Sequence, residues 1–382
     1  MNEQTNWPHF IAMQAGTVPY SEDDPGWAKT AAHKAFAKKV GRKLIQIILS
    51  QKLREDIGGV PVPSKVIIDG EEIECVKPLL MEDMVYANND KCIIVFDEFN
   101  QAPKDVMGSA QEWINEPPPN SWMAALGNPP ERSTCGQELS APVSNRMCML
   151  KWERFNEERR QGWKNGFKDY PAPDMPVVPE NFLEDFGPKY GELMCQFEEL
   201  FPDHFGEYTF PTEDDKDQMN NSGAEPGSRP WRSGRSWSNA GKLLAACESV
   251  GGTQTTAFKL VAGCVGMGPA SEFIAWLDKQ DLPSARELLA DPHKLKLPTR
   301  FDLSRAVVNS VLGCAAADKT PETWEDAYSV MIEVFQQNRE VALACMGKLV
   351  NYLPEGHVPQ IRDGVATEMN QILVNKHQLA LS

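Results

Sequence analysis

The segment Lys91–Asn100 reads KCIIVFDEFN, and it joins a short apolar run to an acidic pair. The apolar residues Cys92–Phe96 follow the polar segment Asn88–Lys91, which predicts a strand buried on both faces of a parallel sheet. Asp97 and Glu98 come at the carboxyl end of this strand, where open α/β sheets bind ligands. There, one carboxylate can hold Mg²⁺ through water while the second polarises an attacking water molecule. A strand that runs into an ordinary acidic turn is the alternative.

Length and composition restrict the class of protein. With 382 residues, of which 41% are hydrophobic, the chain is expected to form two or three domains with a sizeable core. No apolar run approaches the ~20 residues of a membrane helix, and the N-terminal MNEQTNWPHF lacks the features of a signal peptide. Nine cysteines without CxxC pairs favour reduced thiols in a cytoplasmic protein. The net charge of −16 argues against a broad nucleic-acid-binding surface, although not against a local basic patch.

Upstream of the acidic pair, the chain predicts one βαβ unit. Phe10–Met13 is a candidate strand, Ala28–Val40 a candidate helix, and Lys43–Ser50 a second buried strand. Gln51–Pro63 and Ile67–Cys75 predict a small hairpin or insertion after it. The loop that enters the helix is the natural position for a phosphate, because free N–H groups and the helix dipole point there.

That loop, Asp23–Thr30, reads DDPGWAKT and partly matches GxxxxGK[ST], the phosphate-binding loop of nucleotide-binding proteins. Lys29 and Thr30 occupy the last two positions of the pattern, and Gly26 supplies one flexible backbone point. In such loops the lysine reaches the phosphates and the hydroxyl binds Mg²⁺. A helix start that matches by chance is the alternative interpretation.

Two features of the loop oppose phosphate binding. Asp23 and Ala28 stand where the pattern has glycine, although alanine costs little unless its position needs a positive φ or a close approach to phosphate. The acidic run Glu22–Asp24 is the greater difficulty, because carboxylates beside phosphates repel them. We therefore predict weakened nucleotide binding that glycines at both positions would tighten.

Further candidates follow the acidic pair. Asp105–Asn115 predicts a helix and Trp122–Leu126 a strand, and Asn128 comes just past the end of that strand. An asparagine there can orient a hydrolytic water or touch a terminal phosphate, whereas a simple Asn-Pro turn is the alternative. Arg146 lies just before the candidate strand Cys148–Trp152, and a solvated surface arginine is the alternative for it.

In this order the segments resemble the MoxR-type AAA+ ATPases. IIVFDEFNQAP is similar to the family's Walker B strand with its DE-x-N-x-A-P pattern, AALGNPPE to its sensor-1 turn, and APVSNRM to the segment that carries an arginine finger. LSQKLREDIGGVPVP is similar to the stretch after the second strand. GRSWSNAGKLL and AGCVGMGPASEFIAWL resemble lid segments, the latter of a bacterial and phage subgroup. The resemblance covers most of Thr17–Leu312, and the family's shorter spacing to the loop would make Thr17–Glu22, with Pro19 inside it, the first strand in place of Phe10–Met13.

The resemblance implies binding of ATP and Mg²⁺. The residues that would contact the nucleotide are Gly26, Trp27, Ala28, Lys29, Thr30 and Arg235. Lys29 would contact the β- and γ-phosphates, Arg235 would be sensor 2, and Thr30 with Asp97 would hold Mg²⁺. The segment Arg229–Arg235, RPWRSGR, contains three arginines and a tryptophan. One interpretation is a contact to nucleotide or nucleic acid. The other is sensor 2 together with packing residues.

The resemblance also implies a catalytic set and an assembly. Glu98 would be the base for water, Asn128 sensor 1, and Arg146 a finger that reaches a neighbouring subunit's nucleotide. The implied assembly is a ring, a hexamer, with chaperone-like remodelling of a partner protein, often beside a von Willebrand factor A-domain protein. The alternatives are a degenerate AAA+ protein with a structural role and a nucleic-acid motor, which the net charge disfavours.

The predicted fold class is α/β: an AAA+ core with a parallel five-stranded sheet flanked by helices, followed by an all-helical lid. The predicted domains are a nucleotide-binding core over residues 1–168, a connecting segment over 169–237, and a lid with C-terminal helices over 238–382. Alanine and leucine recur at helical spacing in the last region. Its candidate helices are Ala240–Val250, Gln254–Val265, Ala270–Gln280, Ser284–Leu289, Arg300–Ala317, Thr323–Gln337, Glu340–Leu353 and Gln360–Val374.

Overall fold

The structure is a computed structural model that describes residues 6–130, 133, 136–153, 156–166, 170–205, 229–279, 284–299, 301–354 and 356–359. The chain divides into two compact units. The sheet unit comprises Met1–Val177, Glu207–Asn239 and Ala262–Gly268, and the helical unit comprises Val178–Gly206, Ala240–Val261 and Pro269–Ser382. The predicted helix Gln360–Val374 lies outside the described residues.

The sheet unit alternates strands with helices. Its strands are β1 (Pro19–Glu22), β2 (Lys43–Ile48), β3 (Val60–Ile68), β4 (Glu71–Leu79), β5 (Cys92–Asp97), β6 (Trp122–Gly127) and β7 (Cys148–Lys151). Its helices are α1 (Trp7–Gln14), α2 (Lys29–Val40), α3 (Arg54–Gly58), α4 (Glu82–Asn89), α5 (Lys104–Asn115), α6 (Ala141–Ser144) and α7 (Asn156–Asn165). Short 3₁₀ helices follow β2 at Leu49–Gln51 and β5 at Phe99–Gln101.

Five of these strands form one sheet in the order β2-β5-β6-β1-β7, and every neighbouring pair is parallel. Strand β5 lies inside the sheet, and Cys92–Phe96 are fully buried there, as the apolar run predicts. The predicted five-stranded parallel sheet is therefore confirmed. Strand β1 has β6 on one side and β7 on the other, so the direction in which successive strands are added reverses at β1. In open α/β sheets, ligands bind at the carboxyl ends of the strands at such a switch point.

The insertion between β2 and β5 contains an antiparallel hairpin of β3 and β4, which confirms the predicted hairpin. Asp69 and Gly70 form its turn, with φ angles of 52° and 85°. Two successive residues with positive φ are what a tight hairpin turn of the Asp-Gly type requires.

The predicted strand Phe10–Met13 is wrong, because these residues lie in helix α1. Pro8 stands in the first turn of that helix, where a missing N–H costs nothing. Every residue from Pro8 to Gln14 is buried, so the segment has no polar stripe that would distinguish a buried helix from a buried strand. The first strand is instead β1, and Pro19 is tolerated there because it is the first strand residue.

The helical unit has no strand among its described residues, which agrees with the predicted all-helical lid. Its helices are α8 (Phe182–Asp185), α9 (Gly187–Leu200), α10 (Gly234–Ser249), α11 (Gln254–Val265), α12 (Met267–Asp278), α13 (Ala285–Ala290), α14 (Phe301–Asp318), α15 (Pro321–Gln337) and α16 (Arg339–Asn351), and α10 to α12 have residues in both units. Ser284, Thr320 and Asn338 cap helices α13, α15 and α16 with their side-chain oxygens. In the described part of the chain, no helix has the length and hydropathy needed to cross a membrane.

Candidate active site

The strand order brings three loops together at the carboxyl edge of the sheet. The loop 23–28 follows β1, Asn128 follows β6, and Asp97 ends β5. Since β6 lies between β1 and β5, Asn128 stands between the phosphate-loop candidate and the acidic pair. The sequence predicts this grouping, and hydrogen bonds join Lys29 to Asn128 and Thr30 to Asp97.

Asp97 lies at the centre of a set of hydrogen bonds. Thr30 Oγ1 donates to Asp97 Oδ2 at 2.9 Å, and Gln46 Nε2 donates to the same oxygen at 3.0 Å. The backbone N–H of Glu98 donates to Asp97 Oδ1 at 3.0 Å. A hydroxyl beside a carboxylate is the kind of hard oxygen donor set that Mg²⁺ takes, so Thr30 and Asp97 fit the ion predicted for them. Gln46 had no role in the sequence prediction.

Lys29 is buried, with 8% of its surface exposed. Its ammonium donates to the carbonyl oxygens of Asp23 at 2.6 Å and Asp24 at 3.2 Å, and to Asn128 Oδ1 at 3.1 Å. Burial lowers the pKa of Lys29, and the carboxylates of Asp23, Asp97 and neighbouring acids oppose that effect. The structure thus brings Lys29 and Asn128 together as predicted, with the lysine held by oxygens of its own loop.

The loop backbone takes left-handed conformations at two positions. Gly26 has φ 84° and Ala28 has φ 56°, so the position where the pattern has glycine does need the positive φ at which alanine is strained. Between them, the Trp27 carbonyl accepts a hydrogen bond of 3.2 Å from Trp152 Nε1. Trp152 directly follows β7, so this bond ties the loop to the edge strand of the sheet.

The loop supports a first prediction: Asp23→Gly combined with Ala28→Gly tightens ATP binding. Glycine adopts the observed φ at position 28 without strain, and loss of the Asp23 carboxylate removes one charge that repels phosphates, for an effect on the order of tenfold. Calorimetry with ATP, with and without Mg²⁺, measures it. Asp23→Asn is the matched control, because it removes the charge and keeps a side chain. Tight wild-type binding that the glycines leave unchanged would show that the Asp23 carboxylate faces away from the phosphates.

Glu98 has a left-handed backbone, with φ 54°, and starts the 3₁₀ turn after β5. Its Oε2 accepts a hydrogen bond from the Ser50 hydroxyl. Ser50 lies just after β2, which is the neighbour of β5 in the sheet, so the contact follows from the strand order. The sequence prediction gave Glu98 the role of base and did not include Ser50.

Asn100 holds the loop that carries Asn128. Its Nδ2 donates to the Asn128 carbonyl at 2.7 Å, and its Oδ1 accepts from the Asn128 N–H at 3.3 Å. Gly127 leaves room for this, because a Cβ there would lie 2.7 Å from Asn100 Oδ1. Asn100 is only 1% exposed. It belongs to the DE-x-N pattern, which is the one sequence signal that could have identified it.

Two buried histidines lie behind the loop and were not predicted as site residues. His33 Nδ1 lies 2.8 Å from the Lys29 carbonyl, which can only accept, so this nitrogen carries the proton. His33 Nε2 then accepts from His9 Nε2 at 2.7 Å, and His9 Nδ1 accepts from the Ser21 hydroxyl at 2.6 Å. Burial lowers the pKa of His33 to about 4 and that of His9 well below its usual value. Both are neutral at pH 7, and they link β1 to the start of α2 without adding charge.

Arg146 lies before β7, at the amino edge of the sheet, away from Lys29 and Asp97 of the same chain. Its guanidinium donates to Asn115 Oδ1 and, at 2.6 Å, to the Pro142 carbonyl. Partial burial and the nearby positive charge of Arg235 lower the pKa of Arg146. Asn145 Nδ2 donates to Ser233 Oγ at 2.9 Å, which holds the segment that carries Arg235 beside the segment that carries Arg146. The finger and sensor-2 roles stay predictions.

Comparison with known proteins adds little. No family model matches the sequence, and no curated protein matches it. The chain is similar to the solved structure of a "putative ATPase" from Cytophaga hutchinsonii, with 15% sequence identity and a TM-score of 0.36 over 75% of this chain and 87% of that one. A TM-score of this size gives no basis for transferring residue roles. The fold of this chain follows from its own strand order.

Proposed function

We propose that this protein is an ATPase that binds ATP with Mg²⁺ between its first and third core strands, β1 and β5. The observation that carries the proposal is the hydrogen bond of 2.9 Å between Thr30 and Asp97, next to a buried lysine. A lysine, a hydroxyl on the first helical turn and a carboxylate at the end of a nearby strand are the parts with which nucleotide-hydrolysing proteins hold phosphates and metal.

The chain's own residues have separate tasks in this proposal. Lys29 exchanges the carbonyl oxygens of its loop for phosphate oxygens, and Thr30 with Asp97 would hold Mg²⁺, which would neutralise phosphate charge. Glu98 takes the proton from the water that attacks the γ-phosphorus, while the bond from that phosphorus to the β–γ bridging oxygen breaks. Asn128, positioned by Asn100, orients the water or a γ-phosphate oxygen.

We further propose the assembly that the family resemblance implies: a MoxR-type AAA+ ring, a hexamer, in which Arg146 reaches the nucleotide of the neighbouring subunit. Its position at the amino edge, remote from its own Lys29, supports action in trans. A client protein that the ring remodels, and a von Willebrand factor A-domain partner, belong to the same proposal. A mass measurement of the purified protein with and without ATP reports the ring size.

A second candidate function is structural assembly without turnover. The observation that favours it is the occupation of Lys29 by the carbonyl oxygens of Asp23 and Asp24. A phosphate must displace those carbonyl oxygens from Lys29 although the three acidic residues Glu22–Asp24 lie next to it. If it cannot, the fold serves as a scaffold.

Lys29→Ala separates the two functions. Loss of a charge-assisted contact costs roughly 1.5–3 kcal/mol, so we expect ATP to bind on the order of 10- to 100-fold more weakly and hydrolysis to fall with it. Lys34→Ala is the matched control, because Lys34 is an exposed lysine on the same helix. Binding by calorimetry and phosphate release are the measurements. A wild type that neither binds nor hydrolyses ATP would favour the structural function, and equal hydrolysis by Lys29→Ala and the wild type would exclude Lys29 from the site.

A further inference from the structure

Arg229 and Glu22 form an ion pair within the sheet unit, although 207 residues separate them. Arg229 NH1 donates to Glu22 Oε2 at 2.7 Å, and NH2 lies 4.0 Å from Glu138 Oε1. The Glu22 side chain is 13% exposed and that of Arg229 26%. Glu22 is the last residue of β1 and the first of the three acids Glu22–Asp24, so the pair lies where the strand enters the phosphate-loop candidate.

The charge of Glu22 acts on the site even though its side chain is paired. Glu22 is among the carboxylates whose negative charge opposes the burial-driven fall in the pKa of Lys29. A carboxylate that stabilises the Lys29 ammonium through space would repel a phosphate bound to that ammonium. Without a counter-charge, Glu22 would therefore weaken the binding of any polyphosphate.

Arg229 supplies the positive charge that lies against Glu22. Although its burial acts in the opposite direction, the carboxylates of Glu22 and Glu138 raise the pKa of Arg229 above its usual value. Among the described residues, Arg229 Nε is buried without a hydrogen-bond partner, which is costly. An arginine kept in such a place contributes charge at a cost in stability.

We propose that Arg229 is a positioning residue for ATP: it neutralises Glu22 so that a nucleoside polyphosphate can bind beside the acidic loop. This inference rests on the proposed function, because it concerns the same site. Arg229 would then make the site discriminate between ligands by their negative charge. The benefit from Arg229 is largest for a triphosphate, smaller for a diphosphate and absent for an uncharged nucleoside.

Calorimetry with MgATP, ADP and adenosine tests the inference on the full chain. We expect Arg229→Met to weaken MgATP binding on the order of tenfold at low salt, ADP binding less, and adenosine binding not at all. Glu22→Gln added to Arg229→Met should restore MgATP binding, because the uncompensated charge is gone. Arg229→Lys, which keeps the charge, should stay near the wild type. Arg54→Met is the matched control, since Arg54 is an exposed arginine of the same unit.

The outcomes are distinct. Equal binding by Arg229→Met and the wild type overturns the inference, as does a double variant that binds no better than Arg229→Met. Equal losses for ATP and adenosine would show structural damage and overturn it too. If Arg229→Met does not fold, the comparison of the double variant with the wild type decides. That variant removes the Glu22 charge together with its partner and keeps only Glu138, 4.0 Å from Arg229 in the wild type, so it must bind MgATP nearly as the wild type does. A wild type that binds no nucleotide overturns the proposed function itself.

Discussion

Glu98→Gln is expected to yield a protein that retains bound ATP and does not hydrolyse it. Glutamine has nearly the same shape as glutamate, so it can keep the hydrogen bond from Ser50 and leave the turn after β5 intact. Its amide cannot accept the proton of the attacking water. General-base catalysis contributes typically 10²–10⁴-fold, and we expect the turnover number to fall by about that factor. Phosphate release and the nucleotide retained after gel filtration are the two measurements.

Glu112→Gln provides the control for this variant, because Glu112 is an exposed glutamate on helix α5. It should hydrolyse ATP as the wild type does. Unchanged hydrolysis by Glu98→Gln would exclude Glu98 as the base and would direct attention to the neighbouring carboxylate. A variant that fails to bind ATP at all would instead show that Glu98 contributes to binding.

The sequence predicts the sheet well wherever a strand is both apolar and short. The run Cys92–Phe96 could only bury itself by becoming an inner strand, and β5 is that strand. Helix α1 shows the limit of the same reasoning. The helix is buried on all sides, its polar His9 and Gln14 included, so the apolar periodicity of an exposed helix is missing. Conversely, β1 is an inner strand of the sheet and yet reads as PYSE, because Ser21 and Glu22 form hydrogen bonds with the side chains of His9 and Arg229.

The order of the motifs along the chain predicts part of the candidate site. Lys29 and Asn128, which are 99 residues apart, come within 3.1 Å, as a phosphate loop and a sensor at adjacent strand ends must. The supporting residues could not be predicted in this way. Ser50 and Arg229 lie in segments that the sequence analysis singled out, but their contacts with Glu98 and Glu22 join distant segments and could not be read from the local sequence.

The acidic run shows why counting charges is insufficient. The run Glu22–Asp24 predicts repulsion of phosphates, but in the structure the backbone oxygens of this run form hydrogen bonds with Lys29. Asp23 and Asp24 turn their carbonyl oxygens toward Lys29, and Glu22 is paired with Arg229. The cost of the run therefore depends on geometry and on a partner 207 residues away, neither of which is visible in the sequence.

Arg146→Ala is expected to reduce turnover far more than ATP affinity. Arg146 lies at the amino edge of its own sheet, so in the proposed ring it would approach the nucleotide of a neighbouring subunit. An arginine finger stabilises charge that develops in the transition state and is worth roughly 10³–10⁵ in rate. We expect a loss near the lower end of that range, with an ATP dissociation constant within about threefold of the wild type. Arg160→Ala, at an exposed arginine of α7, should leave both quantities unchanged.

Mixing tests the action in trans. Arg146→Ala subunits keep a good base and Glu98→Gln subunits keep a good finger, so a mixed ring contains interfaces that combine both. Neither variant alone hydrolyses ATP well, and we expect the mixture to recover a measurable part of the wild-type rate, highest near equal proportions. Native mass measurement of the same samples establishes that the subunits exchange. If the subunits exchange and no proportion recovers activity, Arg146 does not act across the interface. The loss of turnover in Arg146→Ala would then come from the segment before β7, which Arg146 holds through its bonds to Asn115 and Pro142.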